Sequence, residues 1–138
     1  MYAPPPRLSY EVFASVPEAL RVGGRTSRWL EINHGGRQMH SFLEGPAFDR
    51  AGNLYVVDVA WGRIFRISPA GEFTVAAACD GAPCGLAIHR DGRIFIADWL
   101  RGIFCLDPAT GALAEVLTSV DGRPFLGIND LTFALNGD

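Results

Sequence analysis

Short apolar runs separated by glycine-containing turns follow one another along most of this chain. Residues 53–59 form the clearest run and are rich in β-branched and aromatic side chains. A helix would instead place apolar residues three and four positions apart over a longer stretch. The pattern therefore predicts β-strands, and the first four lie at residues 45–49, 53–59, 63–67 and 72–78.

The same pattern returns further along the chain, which identifies an internal repeat. Residues 48–58 (FDRAGNLYVVD) reappear as residues 88–98 (IHRDGRIFIAD), with a shift of 40 residues from Gly52 to Gly92. Four strands in a unit of about 40–45 residues are typical of one blade of a β-propeller. We therefore predict an all-β propeller fold.

A third copy of the repeat begins at Asp130. Its reference glycine, Gly137, lies 45 residues after Gly92, so about four residues are inserted near residues 125–128. Two and a half to three blades do not close a ring, since known propellers have about four to eight. The propeller domain, assigned to residues 41–138, is therefore expected to be incomplete and apparently truncated.

Residues 1–40 lie outside the repeat and are assigned to a separate amino-terminal segment. Within it, residues 9–13 have the composition of a strand, of the kind that completes the last blade of a closed propeller. Residues 16–20 predict a short helical turn with Pro17 at its first position.

Charge and hydropathy exclude two classes of partner. The net charge is −3 and no basic patch stands out, so we expect no binding to nucleic acid. No run approaches the roughly 20 apolar residues of a membrane span, and residues 1–9 lack the apolar segment of a signal peptide. We therefore expect no membrane association.

The cysteines favour a reducing compartment. Cys79, Cys84 and Cys105 are odd in number and lack the spacing of a metal site. A cytoplasmic location without disulfides is therefore expected, with a Cys79–Cys84 bridge as the open alternative.

One repeated position carries candidate chemistry. Eight residues before each reference glycine stand Glu44, Cys84 and Asn129. Equivalent positions of successive blades form a ring around the propeller axis, where a carboxylate and an amide oxygen suit a hard cation such as Ca²⁺. The competing interpretation is that Glu44 and Asn129 are ordinary turn residues, since each stands next to a turn-forming residue.

Residues 41–49, 52–58 and 62–69, with Asn129-Asp130-Leu131, resemble the senescence-marker-protein (regucalcin)/gluconolactonase/luciferin-regenerating-enzyme family. The resemblance covers roughly residues 28–138 and implies a six-bladed propeller that hydrolyses lactones. It also implies one divalent cation in the central channel, Ca²⁺ first, with Zn²⁺ or Mn²⁺ as substitutes.

The family pattern places metal ligands at Glu44 and Asn129. It places Cys84, Asn129 and Asp130 along the substrate or channel wall, although a thiol at Cys84 departs from the polar residue expected there. The ligands of later blades and the general base have no counterpart in this sequence.

Several other polar residues invite a structural interpretation. Asp58 and Asp98 end equivalent strands, so a shared turn-capping role is expected. His89 stands near a turn and is expected to be solvated, and no Ser, His and Asp set suits a nucleophilic triad.

Three functions are compatible with the sequence. The leading hypothesis is a metal-dependent lactone hydrolase, or an incomplete piece of one, acting on a small-molecule lactone. The alternatives are a non-catalytic truncated propeller that binds a partner or itself through open blade edges, and a fragment without independent function.

Overall fold

The computed structural model describes residues 4–137 and confirms the repeated four-stranded units. Each unit is an antiparallel sheet whose strands follow chain order. The first contains β1 (Leu43–Phe48), β2 (Leu54–Asp58), β3 (Arg63–Ile67) and β4 (Phe73–Ala78). The second contains β5 (Pro83–Ile88), β6 (Ile94–Asp98), β7 (Gly102–Leu106) and β8 (Leu113–Leu117). Residues 1–3 and 138, at the outer ends of the two predicted domains, lie outside the described residues.

The repeat is visible in the turn hydrogen bonds as well as in the strands. At Gly52, Gly92 and Gly137 the amide donates to the carbonyl three residues earlier, at 3.1, 2.9 and 2.9 Å. All three glycines have a positive φ, of 81°, 95° and 94°, which side-chain-bearing residues rarely adopt. The three reference glycines therefore occupy the same turn in three successive units.

The main hydrophobic core lies between the two sheets, where β5 packs against β1 and β2. Alternate residues of the strands face this core because successive side chains of a strand point to opposite faces. The fully buried members include Val57, Ile64, Ile94, Ile96 and Leu106. The apolar run at residues 53–59 thus forms a strand buried on both faces, since Val56 belongs to a second cluster with Phe65 and Ile67.

The amino-terminal segment covers the first sheet. Ala14 and Leu20 pack on the second cluster, and Trp29 and Leu30 enter the main core. The last two belong to a helix, α1 (Arg28–His34), which the sequence pattern did not predict. Its first turn is capped by the Ser27 hydroxyl, which accepts a hydrogen bond from the Leu30 amide at 3.3 Å.

The strand predicted at residues 9–13 as part of a last blade stays a prediction. The structure assigns no strand between residues 4 and 42, and Leu8, Tyr10 and Val12 are exposed. A strand needs a ladder partner, and this stretch pairs with none of the described strands. The helical turn predicted at residues 16–20 is present as a 3₁₀ turn at Glu18–Leu20, with Pro17 one position earlier, at the N-cap.

The third unit starts after a short hairpin. β9 (Ser119–Val120) pairs with β10 (Arg123–Pro124) across Asp121 and Gly122, whose φ angles are 51° and 73°. Two positive φ angles are the geometry of a type I′ turn, which Asp-Gly favours. Residues 125–134 follow without an assigned strand and lead to the turn at Gly137.

Candidate functional site

The three residues in equivalent register lie on neighbouring segments that touch through two glycines. A methyl group at Gly45 would stand 3.0 Å from the Cys84 carbonyl oxygen and 2.9 Å from the Gly85 Cα. A methyl group at Gly85 would stand 2.8 Å from the Asn129 carbonyl oxygen. Contacts under 3.0 Å are essentially absent between real Cβ atoms and their neighbours, so both positions exclude a side chain. The missing Cβ atoms let the starts of the three units approach one another.

Irregularities in the strand pairing orient Glu44 and Cys84. The pairing of β1 with β2 shifts between Glu44 and Ala47, and the pairing of β5 with β6 shifts between Pro83 and Gly85. Such β-bulges bend a strand and re-aim its side chains, and they occur often beside functional sites. In both sheets the bulge lies at the start of the first strand, β1 or β5, which is the strand nearest the next unit.

The charges at the site are unfavourable to one another. Partial burial raises the pKa of the Glu44 carboxyl above its ordinary value, and the negative charge of Asp130 raises it further. Burial, followed by the charges of Glu44 and Asp98, raises the pKa of the Cys84 thiol to about 12. Cys84 is therefore a neutral, buried thiol that donates weakly to the Ala82 carbonyl at 3.4 Å.

Asn129 and Asp130 lie on the exposed side of the site. The backbone carbonyl of Asn129 and the Oδ1 atom of Asp130 face Gly85, and the same Oδ1 atom accepts a hydrogen bond from the Leu131 amide at 2.8 Å. The negative charge of Asp130 thus acts on Glu44, and Asp130 itself packs on Gly85. Within residues 4–137 no hydrogen bond joins the side chains of Asn129 and Glu44.

An open groove of about 470 Å³ runs along these segments. Its walls are β1, β5 and the beginning of the third unit; the lining residues include Gly45, Leu86, Asp130 and Phe133. The groove has the size of a small-molecule site, for which about 300–1,000 Å³ is usual. It follows the innermost strands, where a propeller channel is expected.

Asp58 anchors the entry to β1. This fully buried carboxylate accepts a hydrogen bond from the Phe42 amide at 2.9 Å and bonds from the Arg63 guanidinium at 2.5 and 3.0 Å. Burial raises the pKa of Asp58 above its ordinary value, although these hydrogen bonds act in the opposite direction. Phe42 stands two residues before Glu44, so Asp58 helps to position the candidate ligand.

The equivalent Asp98 has the turn-capping role that was predicted for both residues. Its Oδ1 atom accepts from the Leu100 and Arg101 amides at 2.9 and 3.0 Å. For Asp58 that prediction is wrong, because Arg63 and the Phe42 amide take its oxygens instead.

The prediction that His89 is solvated is wrong as well. Its side chain is 14% exposed and its ring lies 5.0 Å from the Phe133 ring, centroid to centroid. Phe95 stands 5.3 Å from Phe133, so an aromatic cluster joins the second unit to the third. His89 is thus a packing residue between units.

Three further absences hold for residues 4–137. No group of three or more His, Cys, Asp and Glu side chains there has the geometry to hold a metal ion. No helix in that range is long and apolar enough to cross a membrane. Cys79, Cys84 and Cys105 are free, so the alternative Cys79–Cys84 bridge is not formed.

Comparison with known families agrees with this geometry. A family model described as the SMP-30/gluconolactonase/LRE-like region matches residues 42–138, which include both blades and all three positions of the ring. The chain belongs to this family. Membership confirms the resemblance and places the two sheets as blades of a β-propeller.

Two bacterial lactonases are similar to this chain in sequence. Lactonase drp35 of Staphylococcus epidermidis is 29% identical over 116 residues, which cover 79% of this chain and 34% of that protein. Lactonase drp35 of Staphylococcus aureus is 40% identical over 70 residues, 49% of this chain and 20% of its own. The chain therefore spans about a third or less of the length of these curated relatives.

A solved structure is similar in fold. The gluconolactonase of Xanthomonas campestris superposes with a TM-score of 0.65 at 23% identity, covering 70% of this chain and 33% of its own. At that identity the likeness shows the propeller fold alone.

Sequence reasoning missed the two glycines that bring the ring positions together. Gly45 and Gly85 follow Glu44 and Cys84 directly and are separated by the same 40-residue shift as the rest of the repeat. The repeat alignment therefore contained the signal, because a glycine inside a strand, repeated in register, indicates that another backbone approaches closely there.

Proposed function

We propose that this chain is part of a divalent-metal-dependent lactone hydrolase and that Glu44 is its cation-binding carboxylate. Two observations carry the proposal: the charge of Asp130, from a later repeat unit, acts on Glu44, and Asp130 lines the same groove as Gly45, the residue after Glu44. Family membership and the names of the lactonase relatives support the reaction class.

The donor chemistry of the site fits a hard cation. Two carboxylates that repel one another, as the raised pKa of Glu44 indicates, are relieved when a positive ion binds between them. The neutral Cys84 thiol is a poor ligand, which leaves oxygen donors and favours Ca²⁺ or Mn²⁺ over a thiolate-bound Zn²⁺. Asn129, one residue from Asp130, would supply an amide oxygen to the ion or to the substrate.

The residues of this chain would bind and orient the lactone. The groove wall around Leu86 and Phe133 would give the lactone ring an apolar surface. The buried Cys84 lies next to Gly85, behind this wall. A bound cation would polarise the lactone carbonyl and stabilise negative charge on its oxygen. None of residues 4–137 is assigned as the base that activates water. The free cysteines agree with a cytoplasmic location for this activity.

Lactone turnover with a matched control tests the proposal. Proton release from γ- and δ-lactones would be followed after chelation and re-addition of Ca²⁺, Zn²⁺ or Mn²⁺. Glu44→Gln keeps the shape of the side chain and removes its charge, so the metal-dependent rate should fall by roughly tenfold or more. Glu72→Gln, an exposed change in the turn before β4, should leave the rate unchanged. Equal metal-dependent rates in the parent and Glu44→Gln would exclude the role given to Glu44.

A second candidate function is a non-catalytic module that associates with itself. It is favoured by the open edge of β8 and by exposed apolar side chains near it, including Val116, Leu117 and Val120. Edges and apolar patches of this kind pair readily with another chain. Light scattering should then give a mass of two or more chains, and a monomer at all concentrations would argue against this module.

A further inference from the structure

A basic pocket lies apart from the groove, between the amino-terminal segment and the loops of both blades. Its volume is about 490 Å³. Residues 25–29 form one wall, and the loops around Trp61, Gly81 and Arg101 form the others. These loops follow the ends of β2, β4 and β6, so the pocket opens at the same end of the sheets as Glu44.

Three arginines line this pocket against a single acidic residue. They are Arg25, Arg28 and Arg101, and the acid is Asp80. Within the described residues Arg101 pairs with Glu115 at 2.8 Å, whereas Arg25 and Arg28 form no ion pair. The buried Asp98 carboxylate lies behind Gly81 at the pocket wall, and Glu115 offsets Arg101, so the unpaired positive charge of the pocket rests on the exposed Arg25 and Arg28. Like charges that share a cavity repel one another, and an anion in the cavity removes that repulsion.

One wall of the pocket is an aromatic ring that a hydrogen bond holds in place. The Trp61 indole is held by a hydrogen bond from its Nε1 atom to the Met39 carbonyl at 3.1 Å. The Arg25 guanidinium stands 5.0 Å from the centre of that ring, within the range of a cation–π contact. The fixed indole therefore holds Arg25 at the pocket wall. Guanidinium groups match the paired oxygens of carboxylates and phosphates, whereas they have no such fit to chloride.

We infer that this pocket binds a small organic molecule through a carboxylate or phosphate group, with Arg25 and Arg28 as the anion-binding residues. The inference does not depend on lactone hydrolysis, since it uses neither Glu44 nor the groove. A site of this volume accommodates a small metabolite.

Isothermal titration of the intact 138-residue chain tests the inference at fixed ionic strength. Inorganic phosphate and succinate are the two probes, and sodium chloride is the blank. A saturable response to phosphate alone identifies a phosphate site, to succinate alone a carboxylate site, and to both a general oxyanion site. A response no different from chloride for both probes would overturn the inference.

Two paired variants locate the binding. Arg25→Gln/Arg28→Gln should lower the affinity for the anion by roughly tenfold to a hundredfold, because charge-assisted hydrogen bonds are lost. Arg37→Gln/Arg123→Gln removes the same charge from exposed positions outside the pocket and should leave the affinity unchanged. Equal weakening in both paired variants would show that the anion responds only to overall charge, and would overturn the assignment to the pocket.

Discussion

At position 85 even a methyl group would collide with the start of the third unit. An added Cβ would lie 2.4 Å from Asp130 Oδ1 and 2.9 Å from the Asp130 Cα, and the second atom belongs to the backbone. The close stacking of the ring segments therefore depends on a hydrogen atom at this position, as it does at Gly45.

Gly85→Ala should reduce the free energy of unfolding by about 1–3 kcal/mol, the usual cost of overpacking a buried site. Urea denaturation measures the loss. Gly23→Ala is the matched control, because nothing lies within 4 Å of its added Cβ and its φ is not positive. Unchanged stability in Gly85→Ala would mean that residues 129–130 do not pack on this glycine.

Asp49 makes the free energy of unfolding depend on pH, so that the fold loses stability as the pH falls. Burial alone would raise the pKa of its carboxyl, but hydrogen bonds from Asn53 and Ala51 and the charge of Arg66 lower it below its ordinary value. A carboxyl whose pKa is lower in the folded chain than in the unfolded chain stabilises the fold at pH values above the unfolded pKa. That contribution is lost as the pH falls through the folded pKa.

Asp49→Asn should therefore reduce stability near neutral pH and flatten the loss of stability below about pH 4. Urea midpoints measured from pH 3 to pH 7 check this. Glu72→Gln, in the exposed turn before β4, is the control and should keep the parent's profile. Parallel profiles for the parent and Asp49→Asn would contradict the account of this turn.

At the scale of elements, one ion pair fastens three segments together. Arg63, at the start of β3, reaches Asp58 at the end of β2 and donates to the Leu20 carbonyl at 2.7 Å. Asp58 in turn holds the Phe42 amide before β1. The side chains of Asp58 and Arg63 are 0% and 14% exposed, so the pair is shielded from water.

Arg63→Met should destabilise the chain by about 3–5 kcal/mol, because it leaves a buried carboxylate without its partner. Asp58→Asn added to this variant should restore part of the loss, since the unpaired charge is then gone. Arg101→Met breaks an exposed pair and should cost only about 0–1 kcal/mol. Urea denaturation compares the three variants, and similar small losses in Arg63→Met and Arg101→Met would refute the anchoring role.

The elements also show what the sequence can predict. Strands β1–β4 were predicted to within about two residues, because apolar runs and glycine turns alternate so regularly there. Helix α1 was missed because it is only seven residues long and is held by the burial of Trp29 and Leu30 on the first blade. Residues 9–13 form no strand by themselves, since a strand-like composition cannot supply a pairing partner.

At the scale of the whole molecule, the candidate site is built from three successive units. The repeat register of the sequence alone places Glu44, Cys84 and Asn129 at equivalent positions. It could not tell which side chains would approach one another, because the bulges in β1 and β5 decide where each side chain points. The charge that acts on Glu44 belongs to Asp130, the residue after the register position Asn129.

Cation binding is the central claim for the molecule, and equilibrium titration of the chain with Ca²⁺ and Mn²⁺ tests it most directly. The site predicts saturable binding that Glu44→Gln weakens by roughly tenfold or more, while Glu72→Gln binds as the parent does. Binding that is absent from the parent, or is equally strong in the parent and Glu44→Gln, would contradict the proposal that Glu44 holds a divalent cation.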